Sequence, residues 1–181
     1  KAIKLIKNNT IKNVIGFTGA PWTLLVYMLN KESPKKNFDF DFITKDKLLI
    51  EKLLEKLVDE IVIHIIKQIE AGVDVIQIFD SWAGLLPKKH LQEYCFDPTL
   101  EILQKVKKFD TPVICFPRGI KEGYSDFCSI VKPDCISIDY TVDPTWIKEK
   151  AKGIPIQGGL DPKILLGDKE DIKKNTEKYL N

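Results

Sequence analysis

Val73-Asp74-Val75-Ile76-Gln77-Ile78-Phe79-Asp80-Ser81-Trp82-Ala83-Gly84 is the stretch on which the fold turns. Val73 to Phe79 is a short apolar run rich in β-branched residues, the pattern of a buried strand, and it stops abruptly in a polar turn. Ahead of it, Leu49, Leu53, Leu57, Ile61, Ile65 and Ile69 recur at i, i+4 with charges opposite. That spacing predicts an amphipathic helix from Thr44 to Ala71, closed by Gly72. A helix delivering the chain directly into a buried strand is half of a parallel βαβ unit.

The same rhythm extends in both directions. Val14 to Gly19, Val113 to Phe116, Cys135 to Asp139 and Ile154 to Gln157 read as further buried strands. Helical patterns follow from Pro21, from Pro87 to Lys108 with an interruption near Asp97-Pro98, from Lys121 to Val131, from Pro144 to Ala151 and from Lys169 to Leu180. Lys31 to Phe42 reads as a flexible loop. Five such units without a hairpin signal imply parallel strands and right-handed crossovers, in a (β/α) barrel or a doubly wound sheet. Both architectures place ligands at the carboxyl ends of the strands. A closed barrel takes about 250 residues, so a barrel would lack about three units here. Residues 1–181 are read as one domain.

Composition narrows the function. The 28 basic and 26 acidic side chains leave a net charge of +2, and no cluster of cations could track a phosphate backbone, so nucleic acid is not an expected partner. No apolar run is long enough to cross a membrane. Cys95, Cys115, Cys128 and Cys135 show no CxxC spacing, which points to neither zinc nor a disulfide framework and fits a reduced, cytoplasmic setting. The chain opens without Met, so a preceding segment, with any targeting signal, is expected to lie outside it.

Candidate site residues gather at the strand ends. Gly16-Phe17-Thr18-Gly19-Ala20-Pro21 gives a tight exit into a helix, with Tyr27 about two turns along it; periodicity alone favours Tyr27 as a core aromatic with its hydroxyl at the surface. Asp80 and Ser81 either meet a ligand or cap the next turn, and Trp82 either walls a planar ligand or fills a gap. Arg118, the single Arg among many Lys, sits after Pro117 where a guanidinium could reach an anion or simply face water. Asp97, Asp143 and Asp161, each followed by Pro, read as helix N-caps. His64 and His90 read as solvated helix residues. No GxGxxG, Walker, GxSxG or HExxH sequence occurs.

Gly16-Phe17-Thr18-Gly19-Ala20-Pro21-Trp22-Thr23-Leu24 and Gln77-Ile78-Phe79-Asp80-Ser81-Trp82-Ala83-Gly84 closely resemble two signature stretches of uroporphyrinogen decarboxylase. Phe116-Pro117-Arg118-Gly119, Ile138-Asp139-Tyr140-Thr141-Val142-Asp143 and Ile156-Gln157-Gly158-Gly159-Leu160-Asp161-Pro162 resemble that family's next three strand ends, in order. The resemblance implies an incomplete (β/α)8 TIM barrel, an α/β fold whose strands here are the third to the seventh. It implies a cytoplasmic homodimer that removes four CO2 from uroporphyrinogen III to give coproporphyrinogen III in heme biosynthesis, with neither cofactor nor metal. It assigns substrate binding to Tyr27 and Ser81 and pocket lining to Phe17 and Phe79, beside which Arg118 remains a candidate for an acetate arm. It also implies that the family's pyrrole-binding aspartate and arginine-rich segment precede Lys1, and its Gly-His-Gly segment follows Asn181. The chain alone is therefore expected to be inactive and poorly soluble. Two alternatives stand beside this: a corrinoid-dependent methyltransferase of the same fold, with zinc held by His and Cys, and a non-catalytic truncated remnant or tetrapyrrole-binding module.

Overall fold

The computed structural model describes residues 1–30, 34, 43 and 45–180. In chain order these form α1 (Ala2–Asn8), β1 (Ile15–Gly19), α2 (Pro21–Asn30), α3 (Lys47–Glu70), β2 (Val75–Asp80), α4 (Asp97–Val106), β3 (Val113–Pro117), α5 (Gly123–Val131), β4 (Cys135–Ile138), α6 (Pro144–Lys150), β5 (Ile156–Gly158) and α7 (Lys169–Leu180). All five expected strands are present. Apart from Pro34, the loop expected at Lys31 to Phe42 lies outside the described residues, as does Thr44.

The strands pair in parallel in the order β1-β2-β3-β4-β5. A doubly wound sheet reverses its strand order at a switch point. Strictly sequential order instead winds one way, and the protein is a partial (β/α)8 barrel. One face of the sheet meets the helices and buries Ile76, Ile78, Val113, Cys115, Ile136 and Ile138. The opposite face carries Phe17, Gln77, Phe79 and Phe116.

Helix α3 buries Ile50, Leu54, Val58, Ile61, Ile65 and Gln68, a spacing that averages close to 3.6 residues. The i, i+4 line expected from the sequence drifts about 40° per step on a real helix. Its first member, Leu49, is therefore exposed, and Gln68 rather than Ile69 takes the last buried position. Asp46 caps the helix by accepting from the Leu49 N–H, and Gly72 leaves it at φ +98°. Asp143 and Asp161 cap as expected, accepting from the Trp146 and Lys163 N–H groups.

Asp97 does not cap. A π-helical turn at Gln92–Phe96 runs straight into α4, so Asp97 is already helical. Pro98 cannot donate to the Tyr94 carbonyl four residues back, and the wider turn is a register in which that missing bond is tolerated. The interruption expected at Asp97-Pro98 is thus a widening just before it. His64 is exposed as expected, whereas His90 is half-buried against Tyr94, with ring centroids 5.7 Å apart.

Among the described residues β1 pairs with β2 on one side, and on the other the Phe17 backbone is bonded by a side-chain amide. Gln68 supplies it: its Oε1 accepts from the Phe17 N–H at 3.0 Å, and its Nε2 donates to the Phe17 carbonyl at 3.0 Å. This approach requires a glycine at position 16, where a Cβ would sit 2.6 Å from Gln68 Oε1. Gly16→Ala is expected to lower stability by about 1 to 3 kcal/mol in urea unfolding. An unchanged midpoint would show that the Gln68 contact is dispensable.

Candidate active site

The carboxyl ends of β1, β2 and β3 bring the candidate residues together from the backbone upward. Phe79 and Phe116 are in register on neighbouring strands, with Phe17 one layer below on β1. Their rings meet edge to face, Phe17 to Phe79 at 6.2 Å and 81°, Phe79 to Phe116 at 6.2 Å and 79°. The geometry is the favoured one for aromatic quadrupoles. Phe17 nevertheless stays 63% exposed, so the row forms an apolar wall with one side open. Phe116 belongs to this wall although the sequence reading did not single it out; its place at the end of β3, matching that of Phe79 on β2, was the available signal.

Tyr27 is not a core aromatic. It is 41% exposed on α2, with its ring edge-on to Trp82 at 6.2 Å and 76°. Trp82 follows Ser81, which is half-buried in the turn after β2. The structure thus groups Phe17 with Phe79 and Tyr27 with the Ser81-Trp82 turn, the two groups being joined through β2.

Asp80 takes a different place from the one its motif allowed. It points into the helix layer and is only 3% exposed, so it does not present its carboxylate to a ligand. Its Oδ1 accepts from the Thr23 hydroxyl at 2.6 Å, and Thr23 Oγ1 in turn accepts from the Trp82 N–H at 3.1 Å. The Trp22 indole N–H donates to the Trp82 carbonyl at 2.9 Å. Among the described residues Oδ2 is buried without a partner of hydrogen-bonding geometry, although the Cys95 thiol lies close enough to steady the carboxylate. Burial pushes the Asp80 carboxyl up to about 6, against the lowering effects of Thr23 and Cys95. Burial, then the Asp80 charge, raises the Cys95 thiol well above its usual value.

Arg118 is exposed, and its backbone is tied to the same turn: its N–H donates to the Asp80 carbonyl at 3.1 Å, and its carbonyl accepts from Gly84 at 2.9 Å. No ion pair engages its guanidinium among the described residues. Gly84 and Gly119 permit this contact, since a Cβ on Gly84 would meet the Gly119 backbone at 2.9 Å. Asp139, after β4, holds the far side by accepting from the Gly119 N–H at 2.8 Å, the Tyr124 hydroxyl at 3.2 Å and the N–H and hydroxyl of Thr141. Burial alone would raise its carboxyl, but these bonds, the Thr141 hydroxyl foremost, hold it below the usual range.

An aromatic row with an exposed end, a tyrosine, a serine and a guanidinium without an ion pair among the described residues gather at the carboxyl end of the parallel strands, the end at which (β/α)8-type proteins carry their ligands. The uroporphyrinogen decarboxylase (URO-D) family model matches residues 1–181. Curated uroporphyrinogen decarboxylases are similar: that of Rickettsia massiliae is 39% identical over 172 residues, 93% of this chain and 49% of its own length. The Rickettsia bellii protein is 37% identical over 173 residues, 93% of this chain and 51% of its own. Among solved structures, a methyltransferase from Methanosarcina mazei superposes with a TM-score of 0.80 at 18% identity, over 99% of this chain and 53% of that one, a likeness of fold. This chain belongs to the uroporphyrinogen decarboxylase family, and it spans about half the length of the curated relatives it matches.

Asp80 provides a pH test with a definite sign. Its folded pKa is raised, so the folded state holds a proton that the unfolded chain releases near pH 3.8. Stability from this group is complete below that value and lost as pH rises through about 6, on the order of 3 kcal/mol in all. Asp74 and Asp139, with lowered values, act in the opposite sense. The difference between wild type and Asp80→Asn therefore isolates the effect: urea unfolding from pH 4 to 7 should show Asp80→Asn gaining relative to wild type as pH rises. A constant difference would contradict the burial of an ionisable Asp80.

Proposed function

We propose that the natural polypeptide containing this chain decarboxylates uroporphyrinogen to coproporphyrinogen, and that this chain contributes one wall and the polar tips of the pocket. The observation that carries the reading is the open row of Phe17, Phe79 and Phe116 beside Tyr27 and the Ser81-Trp82 turn, in a chain of this family. A tetrapyrrole with acidic arms needs an apolar surface for its rings and donors for its carboxylates. The Phe row is the first. The hydroxyls of Tyr27 and Ser81 are donors, and Arg118 is an exposed cation for an acetate arm.

The chemistry has a simple logic. Protonation of a pyrrole carbon makes the ring an electron sink; the bond from the acetate methylene to its carboxylate then breaks, its electron pair flows into the ring, and CO2 leaves. The methylene carbon takes up a proton to become a methyl group as the ring proton is lost. The cation formed on the way needs a fixed anion nearby. Asp80 is not that anion, being sealed beneath Thr23. In this reading the balancing aspartate comes from the segment that the family resemblance places before Lys1, so catalysis belongs to the completed barrel. The resemblance further supports a cytoplasmic homodimer, and among the described residues no helix is long and apolar enough to cross a membrane.

The test is turnover of uroporphyrinogen III by the natural polypeptide, followed by chromatography of the oxidised porphyrins. Coproporphyrin should accumulate. Tyr27→Phe should lower kcat/KM by about 10- to 100-fold, the scale for loss of one hydrogen bond to a charged group. No product above a heat-killed control, or full activity in a Tyr27→Phe, Ser81→Ala double variant, would reject this assignment.

A further inference from the structure

We propose that Asp80 and Thr23 form a positioning clamp that sets α2 against the turn after β2, so that Tyr27 is held edge-on to Trp82 beside Ser81. The proposal rests on the decarboxylase reading for its kinetic consequence, but its structural claim stands independently.

The direction of each proton in the clamp follows from its partners. The Trp82 N–H has only a hydrogen to give, so Thr23 Oγ1 is its acceptor. That leaves the Thr23 hydroxyl hydrogen for Asp80 Oδ1, at 2.6 Å. Thr23 lies in the first turn of α2, where no helical carbonyl stands four residues earlier to take its hydroxyl; a carboxylate in a neighbouring element captures it instead. One side chain of α2 therefore grips β2 through Asp80 and the turn through Trp82. A second bond, from the Trp22 indole to the Trp82 carbonyl, grips the same turn from the adjacent residue. Trp22 is completely buried and packs on Tyr94 of the π-helical turn, with ring centroids 5.9 Å apart. The start of α2 is thus fixed on three sides.

Thr23 and Tyr27 are four residues apart on α2, on one face of the helix. Rotation of α2 that broke the Thr23 bonds would carry Tyr27 away from Trp82. Asp80 reaches no ligand itself; it acts through Thr23, and the Tyr27–Trp82 contact is the visible result.

The experiment uses the natural polypeptide with Thr23→Val, Thr23→Ser and Asp80→Asn, each also placed in a Tyr27→Phe background, with far-UV circular dichroism to show that each variant folds. Valine keeps the shape and removes both bonds; serine keeps both bonds; asparagine keeps an acceptor for the Thr23 hydroxyl. Thr23→Val should lower kcat on the order of 10- to 100-fold with little change in KM, as for a misplaced group. Thr23→Ser and Asp80→Asn should stay within about threefold of wild type. In the Tyr27→Phe background Thr23→Val should cost almost nothing further, because the residue it positions has lost its hydroxyl. Losses that simply multiply would overturn the clamp as a positioning device.

Near-UV circular dichroism supplies a readout that does not need turnover. The component removed by Trp82→Phe should also be removed by Thr23→Val and kept in Thr23→Ser. If wild type turns over no uroporphyrinogen, the functional reading fails while this comparison still decides the clamp: a Thr23→Val spectrum that keeps the Trp82 component rejects it.

Discussion

Parallel pairing is the constraint from which the rest follows. A strand that must be joined to a parallel neighbour cannot turn back in two residues, so each unit returns by a helix on one face of the sheet. Because all five strands run parallel, their exits emerge on one side. That is why residues as distant in sequence as Gly19, Asp80, Pro117 and Asp139 become neighbours. It is also why the face away from the helices is available for a ligand, with Phe17 open to solvent at the edge.

The exits are tied to one another mostly through backbone groups. Ala20 donates to the Phe79 carbonyl, Arg118 to the Asp80 carbonyl, Gly84 to the Arg118 carbonyl and Gly119 to Asp139. The side chains proposed to meet a ligand are thereby carried on a frame built largely from other groups. Among the described residues the hydroxyls of Tyr27 and Ser81 and the guanidinium of Arg118 take no part in these bonds, whereas Asp80, Thr23 and Asp139 are committed to the frame. This division separates the two carboxylates at the strand ends from the polar groups that can serve recognition.

Much of this was legible in the sequence. The five strands, their parallel sense and the caps at Asp143 and Asp161 came from apolar runs and turn chemistry that depend on neighbours a few residues away. What stayed hidden depended on distant partners. Asp80 and Ser81 are adjacent and equally polar, but Asp80 ends β2 on the side of Ile76 and Ile78 whereas Ser81 lies in the following turn, and the partner that receives the Asp80 carboxylate, Thr23, stands fifty-seven residues earlier. Gln68 carries no local signal for its role, since the Phe17 backbone that its amide holds lies fifty-one residues away. The π-helical turn before Pro98 likewise has no local signature beyond the proline itself. The family motifs reached further, because their order along the chain carries tertiary information that composition and periodicity lack.

In the proposed reading, the row of Phe17, Phe79 and Phe116 is one wall of a tetrapyrrole pocket whose polar tips are Tyr27, Ser81 and Arg118. The most direct measurement is a crystal structure of the natural polypeptide with coproporphyrinogen bound. The macrocycle should lie against the three rings, with carboxylates in hydrogen-bonding reach of Tyr27 or Ser81 and of Arg118. A macrocycle bound elsewhere, with the phenylalanine row covered by other parts of the protein, would contradict this reading.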